Sequence, residues 1–204
     1  MIRNIYVAIS LIGIGLFLSG CANLQTIPSA TDESWSERQI RLHEVKTWGL
    51  NARMSLTTPE QTQSFNIQWQ EQPEQYHIRV MSTFGQTGAL IRGTPQGVEV
   101  TTADGTWSGA RLEDYVSSEL ELSLPFSALR YWLLGIPAPG EIGQLQVDAN
   151  QRLEQLTQHQ WQLTYRGYDT QVDLPQRLRL EHENWRLNVV IQSWDLPLKI
   201  SHIL

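Results

Sequence analysis

A chain of 204 residues with 41% hydrophobic side chains is long enough for one domain or a compact pair, and its single cysteine rules out an internal disulfide. Its 15 basic residues stand against 21 acidic ones, a formal net charge of −6, and no Lys or Arg cluster runs along the sequence. At this level of reading nucleic acid and anionic lipid headgroups are poorly matched partners.

At the N-terminus Arg3 precedes an apolar run from Ile5 to Leu18. The run is well short of the roughly 20 residues that a spanning helix needs, and it ends in the small residues Ser19 and Gly20, as an export signal does. Residues 1–20 therefore read as a lipoprotein signal peptide. Leu18-Ser19-Gly20-Cys21 resembles the lipobox, where a bacterial cysteine is diacylated and the preceding peptide is removed. Cys21 then carries two or three acyl chains. At roughly 0.8 kcal/mol per buried methylene these anchor a protein that one chain would hold only marginally. Ala22, in place of Asp, matches sorting to the outer membrane. Loss of Arg3 with the signal leaves 14 basic against 21 acidic residues, a charge of −7. Residues 21–33 form the lipidated N-terminus and a small, polar tether.

Residues 34–195 read as one domain. Trp35, Ile40, Leu42 and Val45, scattered among charged residues, predict a helix capped by Ser34 or Asp32. Trp48, Leu50, Ala52, Met54 and Leu56 then alternate with polar residues, as do Phe65, Ile67 and Trp69, and Tyr76, Ile78 and Val80. Three such segments in succession predict an antiparallel meander. Glycines punctuate further short strands at Ala89 to Arg92, Val98 to Thr101 and Thr106 to Ser108. Helical spacing follows at Leu112, Tyr115, Val116 and Leu120, and again at Phe126, Leu129, Trp132 and Leu133, ending at Gly135. Strand signals resume at Leu145 to Val147, Leu153 to Leu156, Trp161 to Tyr165, Leu178 to Leu180 and Trp185 to Ile191. The pattern is that of a mainly β protein, a curled antiparallel sheet around a few helices. Residues 196–204 extend past the last strand with no readable role.

No nucleophile elbow, zinc-helix motif or phosphate-binding loop occurs. His43, His77, His159, His182 and His202 are dispersed, and Glu181 and Glu183 share a strand face without an acid/base partner. An enzyme is not expected. What stands out is apolar bulk on one sheet face, chiefly Trp48, Met54, Phe65, Trp69, Tyr76, Trp161, Tyr165 and Trp185. Such a stripe fills a solid core or, when a long sheet curls around a helix, lines an apolar cavity. In the cavity reading Leu50, Phe65, Ile67, Trp69, Ile78 and Val80 share one interior with Leu129, Trp132 and Leu133. In the solid-core reading the domain is a lipid-anchored structural or sensing module.

Several segments together resemble the outer-membrane lipoprotein receptor family LolB: the lipobox, Trp48 to Arg53, Phe65 to Trp69, Thr83-Phe84-Gly85-Gln86-Thr87, Leu124 to Pro137 with its Leu-Arg-Tyr-Trp-Leu-Leu-Gly-Ile-Pro run, Trp161 to Tyr168, and Leu174 to Leu178. The resemblance implies a half-open β-barrel with a helical lid and an apolar cavity. It implies acceptance of lipoproteins from the periplasmic carrier LolA, by way of their acyl chains, and their insertion into the outer membrane. It also implies a membrane-inserting loop residue, which falls on Phe84, and a lipid-anchored monomer on the periplasmic face of that membrane. No cofactor, metal or nucleic acid is implied. Ser82, Thr83, Gly85, Gln86 and Thr87 give Phe84 no apolar neighbour to bury it locally, which favours an exposed side chain.

Overall fold

In a computed structural model that describes residues 33–120 and 123–197, Ser34 caps the first helix, α1 (Trp35–His43). Its side chain accepts from the Glu37 amide while the Glu37 carboxylate accepts from the Ser34 amide, which satisfies two donors at the helix start. Cys21, the signal peptide, the tether up to residue 32 and residues 198–204 lie outside the described residues.

Period-two alternation then builds the sheet. β1 (Trp48–Thr57) turns Trp48, Leu50, Ala52 and Met54 inward and Arg53 outward. β2 (Thr62–Gln72) runs antiparallel to it, with Leu50 opposite Trp69, Ala52 opposite Ile67 and Met54 opposite Phe65. β3 (Gln75–Ser82) continues the rows, Ile78 opposite Trp69 and Val80 opposite Ile67. A slip of one residue would turn all of these side chains to solvent, so burial of the apolar face sets the register. β2 begins earlier than its apolar residues do, because Thr62, Gln63 and Ser64 still pair with β1 outside the buried part.

The meander goes on through β4 (Thr87–Thr94), β5 (Gly97–Thr102) and β6 (Gly105–Gly109). Gly93 is required by close approach, since a Cβ there would stand 2.0 Å from the Tyr76 ring. The two middle helices, α2 (Leu112–Leu120) and α3 (Phe126–Leu134), interrupt the strands as their spacing predicts. Gly135 ends α3 in the left-handed region, at φ +80°, and its amide and that of Ile136 donate to Trp132 and Tyr131 carbonyls. Five strands complete the chain: β7 (Gln144–Val147), β8 (Leu153–Gln158), β9 (Trp161–Tyr168), β10 (Pro175–His182) and β11 (Trp185–Asp195).

All eleven strands form one antiparallel sheet in the order β6-β5-β4-β3-β2-β1-β11-β10-β9-β8-β7. The first and last strands pair at its centre, while β6 and β7 stand at opposite edges and leave it open. It is nevertheless curled. At one end of α3 Phe126 stacks on Trp69 of β2, and at the other Trp132 Nε1 donates to Gln158 of β8 at 2.9 Å. On a flat sheet the five spacings between those strands would cover about 24 Å, whereas Phe126 and Trp132 are separated by about 9 Å of helix. The sheet reaches both by wrapping around α3, which makes α3 the helical cover of its inner face. The buried hydrophobic core lies between Leu42 and Ile191, so the unit from Glu33 onward carries its own core.

Candidate functional site

The inner face divides into two regions. Beneath α3 it is packed. Leu50, Ile67, Trp69 and Ile78 from the sheet and Leu129, Trp132 and Leu133 from the helix are all buried in one cluster. Trp69 is central, with Phe126 stacked on it at 4.7 Å and 12° and with Trp48 and Tyr76 tilted against it. Across the sheet the Tyr165 hydroxyl donates to the Trp132 carbonyl at 2.8 Å, and the Gln158 amide group bridges Trp132 Nε1 to the backbone of Ala138. The seven side chains expected in a common interior are brought together, as well-packed core.

The other two, Phe65 and Val80, are only half-buried, and they mark the second region. From them an apolar strip crosses β3 to β6 with Ala89 opposite Val80, Ile91 opposite Ile78 and Trp107 opposite Val100. Ala89, Ile91 and Trp107 are half-buried too, as are Tyr115 and Val116 of α2 and Leu124 before α3. Tyr115 meets Trp107 with ring centroids 5.3 Å apart, so α2 borders the strip. In the sequence Ala89 and Ile91 fall in a short strand, and nothing there singles them out. The signal for them is their register with Val80 and Ile78, which alternation alone does not supply.

An ion pair with a buried carboxylate and a half-buried guanidinium ties the helical cover to the sheet. Arg130 of α3 approaches Glu71 of β2 at 2.9 Å, Trp69 Nε1 donates to the same carboxylate at 2.9 Å, and the guanidinium lies 5.6 Å from the centre of the Tyr76 ring. Burial pushes the Glu71 carboxyl above its usual 4.5 despite the pull of Arg130 and the indole donor, and it pushes the Tyr76 phenol up to about 12. Because the folded state holds the Glu71 proton more tightly than the unfolded chain, its contribution to stability is largest at low pH. That contribution is lost as pH rises through the window above 4.5. The stability of the wild type relative to Glu71→Gln should therefore fall from about pH 4 to pH 8 in denaturant titrations; a flat or rising difference would contradict the assignment.

Phe84 stands apart from both regions. It occupies the turn between β3 and β4, where the Gly85 amide donates to the Ser82 carbonyl at 2.9 Å and the Ser82 amide to Gln86 at 2.8 Å. Gly85 takes φ +84°, as the tight turn requires. The Phe84 side chain is 93% exposed, the most exposed of the large hydrophobic side chains among the described residues.

The arrangement offers an apolar strip, a helical cover and an exposed aromatic tip. Comparison with known proteins gives a consistent result. The family model described as outer membrane lipoprotein LolB matches residues 46–194. An outer-membrane lipoprotein LolB of Chromohalobacter salexigens is 32% identical over 184 residues, covering 88% of this chain and 86% of that protein. One of Nitrosococcus oceani is 33% identical over 187 residues, covering 89% and 93%. Among solved structures, a LolA superfamily protein from Nitrosomonas europaea superposes with a TM-score of 0.54 at 9% identity, over 81% of this chain and 94% of the other, which identifies a shared fold.

Proposed function

The chain belongs to the outer-membrane lipoprotein LolB family, with its role in lipoprotein localisation, and from that premise we propose that it accepts lipoproteins from the periplasmic carrier LolA and inserts them into the outer membrane. The observation that carries this reading is the half-buried apolar strip of Phe65, Val80, Ala89, Ile91 and Trp107 beside the packed block under α3. A solvated apolar strip of this kind gains from covering by an acyl chain, at roughly 0.8 kcal/mol per methylene removed from water. The carrier must bury the same methylenes, so handover depends on a small difference between two large, nearly equal terms. No covalent step is required. The buried residues Leu50, Ile67, Trp69, Ile78, Leu129, Trp132 and Leu133 hold the inner face beside the strip, and Phe84 serves as the membrane-probing tip.

The test is transfer of an acylated lipoprotein from purified carrier. Wild-type protein should take it up, and Ala89→Glu, which sets a carboxylate in the strip without removing core volume, should cut uptake by on the order of ten-fold while the melting temperature holds. If wild-type protein takes up nothing, the domain is a lipid-anchored structural or sensing module. If Ala89→Glu accepts as well as wild type, the strip is not the acyl site.

Anchoring is assigned to Cys21 on the periplasmic face of the outer membrane, with the domain acting as a monomer. Cys21→Ala should move the protein from the membrane to the soluble fraction on cell fractionation, because no comparable anchor remains in the polar tether. Unchanged membrane association would overturn the lipidation.

A further inference from the structure

The arginines of this acidic protein are segregated by the fold. Of the twelve among the described residues, Arg38, Arg41, Arg111, Arg130, Arg152 and Arg186 are in ion pairs. The other six, Arg53, Arg79, Arg92, Arg166, Arg177 and Arg179, make none with any described residue, and all six are strand residues that alternate with the inner-face side chains. They therefore share the outer face of the sheet. Register sets Arg53, Arg79 and Arg177 near one another. Arg177 lies opposite Val190 and Val190 opposite Arg53, one row across β10, β11 and β1. One row along, Arg79 stands opposite Gln68, and Gln68 opposite Asn51.

The outward positions of β1, β2 and β3 hold no carboxylate. The acidic residues near these arginines on this face are few: Glu99 lies opposite Arg92, Glu181 is paired with Arg186, and Asp195 at the end of β11 lies opposite Gly49 of β1. Arg79 and Arg92 line a shallow hollow of about 520 Å³ with His77, Gln68, Gln70 and Asn51, and Asp195 is the one carboxylate in its lining. Two exposed apolar side chains, Leu90 at 45% and Val190 at 40%, lie among the guanidinium groups. Arg79 and Arg92 also belong to the hairpin whose tip is Phe84.

We propose that the outer face of the sheet docks on anionic phospholipid headgroups through Arg53, Arg79, Arg92, Arg166, Arg177 and Arg179. Guanidinium forks match phosphate oxygens bidentately, and a convex sheet face can lie on a flat layer where a concave one cannot. A protein partner that delivers acyl chains to the inner face cannot at the same time sit behind the sheet, which favours the membrane as occupant. The inference rests on the membrane-anchored reading above. With the domain tethered within reach of the bilayer, weak attraction suffices to orient it, with the Phe84 hairpin at headgroup level and the inner face free for an arriving carrier.

The test uses the chain from Ala22 onward, whose core is complete without the anchor, and vesicles of phosphatidylcholine alone or with about one-third phosphatidylglycerol. Co-sedimentation should require the anionic lipid and should fall about ten-fold when salt is raised to roughly 0.5 M. Each arginine near the surface should contribute on the order of five-fold. The combined variant Arg53→Glu, Arg79→Glu, Arg177→Glu should therefore drop to the level seen with phosphatidylcholine, and the corresponding triple Gln variant should fall between. Equal binding to both vesicle types, or full binding by the charge-reversed variant, would overturn the proposal. So would a charge-reversed variant that binds vesicles normally but no longer accepts lipoprotein, since the face would then belong to a protein partner. Vesicle binding with no lipoprotein uptake by wild type would overturn the functional reading alone, and uptake without vesicle binding would overturn this inference alone.

Discussion

Trp69→Ala should lower the free energy of unfolding by about 3–5 kcal/mol, the range for deleting a large buried aromatic side chain. Trp69 is almost fully buried, stacks on Phe126 and contacts Trp48 and Tyr76, so its removal leaves a cavity bounded by rings that cannot collapse into it without leaving α3. The same change deletes the indole donor to Glu71, which leaves that buried carboxylate with Arg130 as its remaining partner. Because Phe126 begins α3, the loss also loosens the helical cover from the sheet. Urea denaturation should show a lower midpoint with an unchanged slope. A loss below about 1 kcal/mol would mean that Trp69 is not the keystone of the packed block.

Phe84→Glu should leave the fold and uptake nearly intact and reduce delivery of lipoprotein into liposomes by on the order of ten-fold or more. At 93% exposure the side chain contributes little packing, so the melting temperature should shift by no more than a surface change does. At the proposed insertion tip the same substitution would set a carboxylate in the acyl boundary, at a cost of up to a few kcal/mol depending on depth. Since the turn is separate from the strip of Val80 and Ala89, acceptance from the carrier is predicted to survive. If acceptance falls as far as delivery, Phe84 belongs to the acyl site and the division of labour between strip and tip is wrong.

The legible parts of this molecule were the local ones. The alternation of Trp48, Leu50, Ala52 and Met54 identified β1 and its buried face. The helical spacing and terminal Gly135 identify α3, and the polar neighbours of Phe84 in the sequence indicate an exposed tip. Alternation states which face a side chain occupies and says nothing of depth. Trp69 and Val80 both read as inner-face residues, yet Trp69 is sealed under Phe126 while Val80 lies in the half-open strip. Depth depends on which helix covers which strand, a long-range property set by how eleven strands curl around α3.

Charge shows the same division from the opposite direction. The composition, the acidic net charge and the absence of a basic run are properties of the sequence by itself, as are the lipobox-like Leu18-Ser19-Gly20-Cys21 and the period-two strands, because each is decided by neighbouring residues and their steric and covalent chemistry. The basic outer face is not in the sequence in that sense. Arg53, Arg79 and Arg177 are far from one another along the chain, and they come together because antiparallel pairing sets β1 beside β2 and β11 and carries the row on to β3 and β10. That pairing is selected by burial of the opposite, apolar face. The positions of the outward charges follow from packing on the inner face, so only the tertiary structure could decide that a protein of net charge −6 presents an arginine-lined surface.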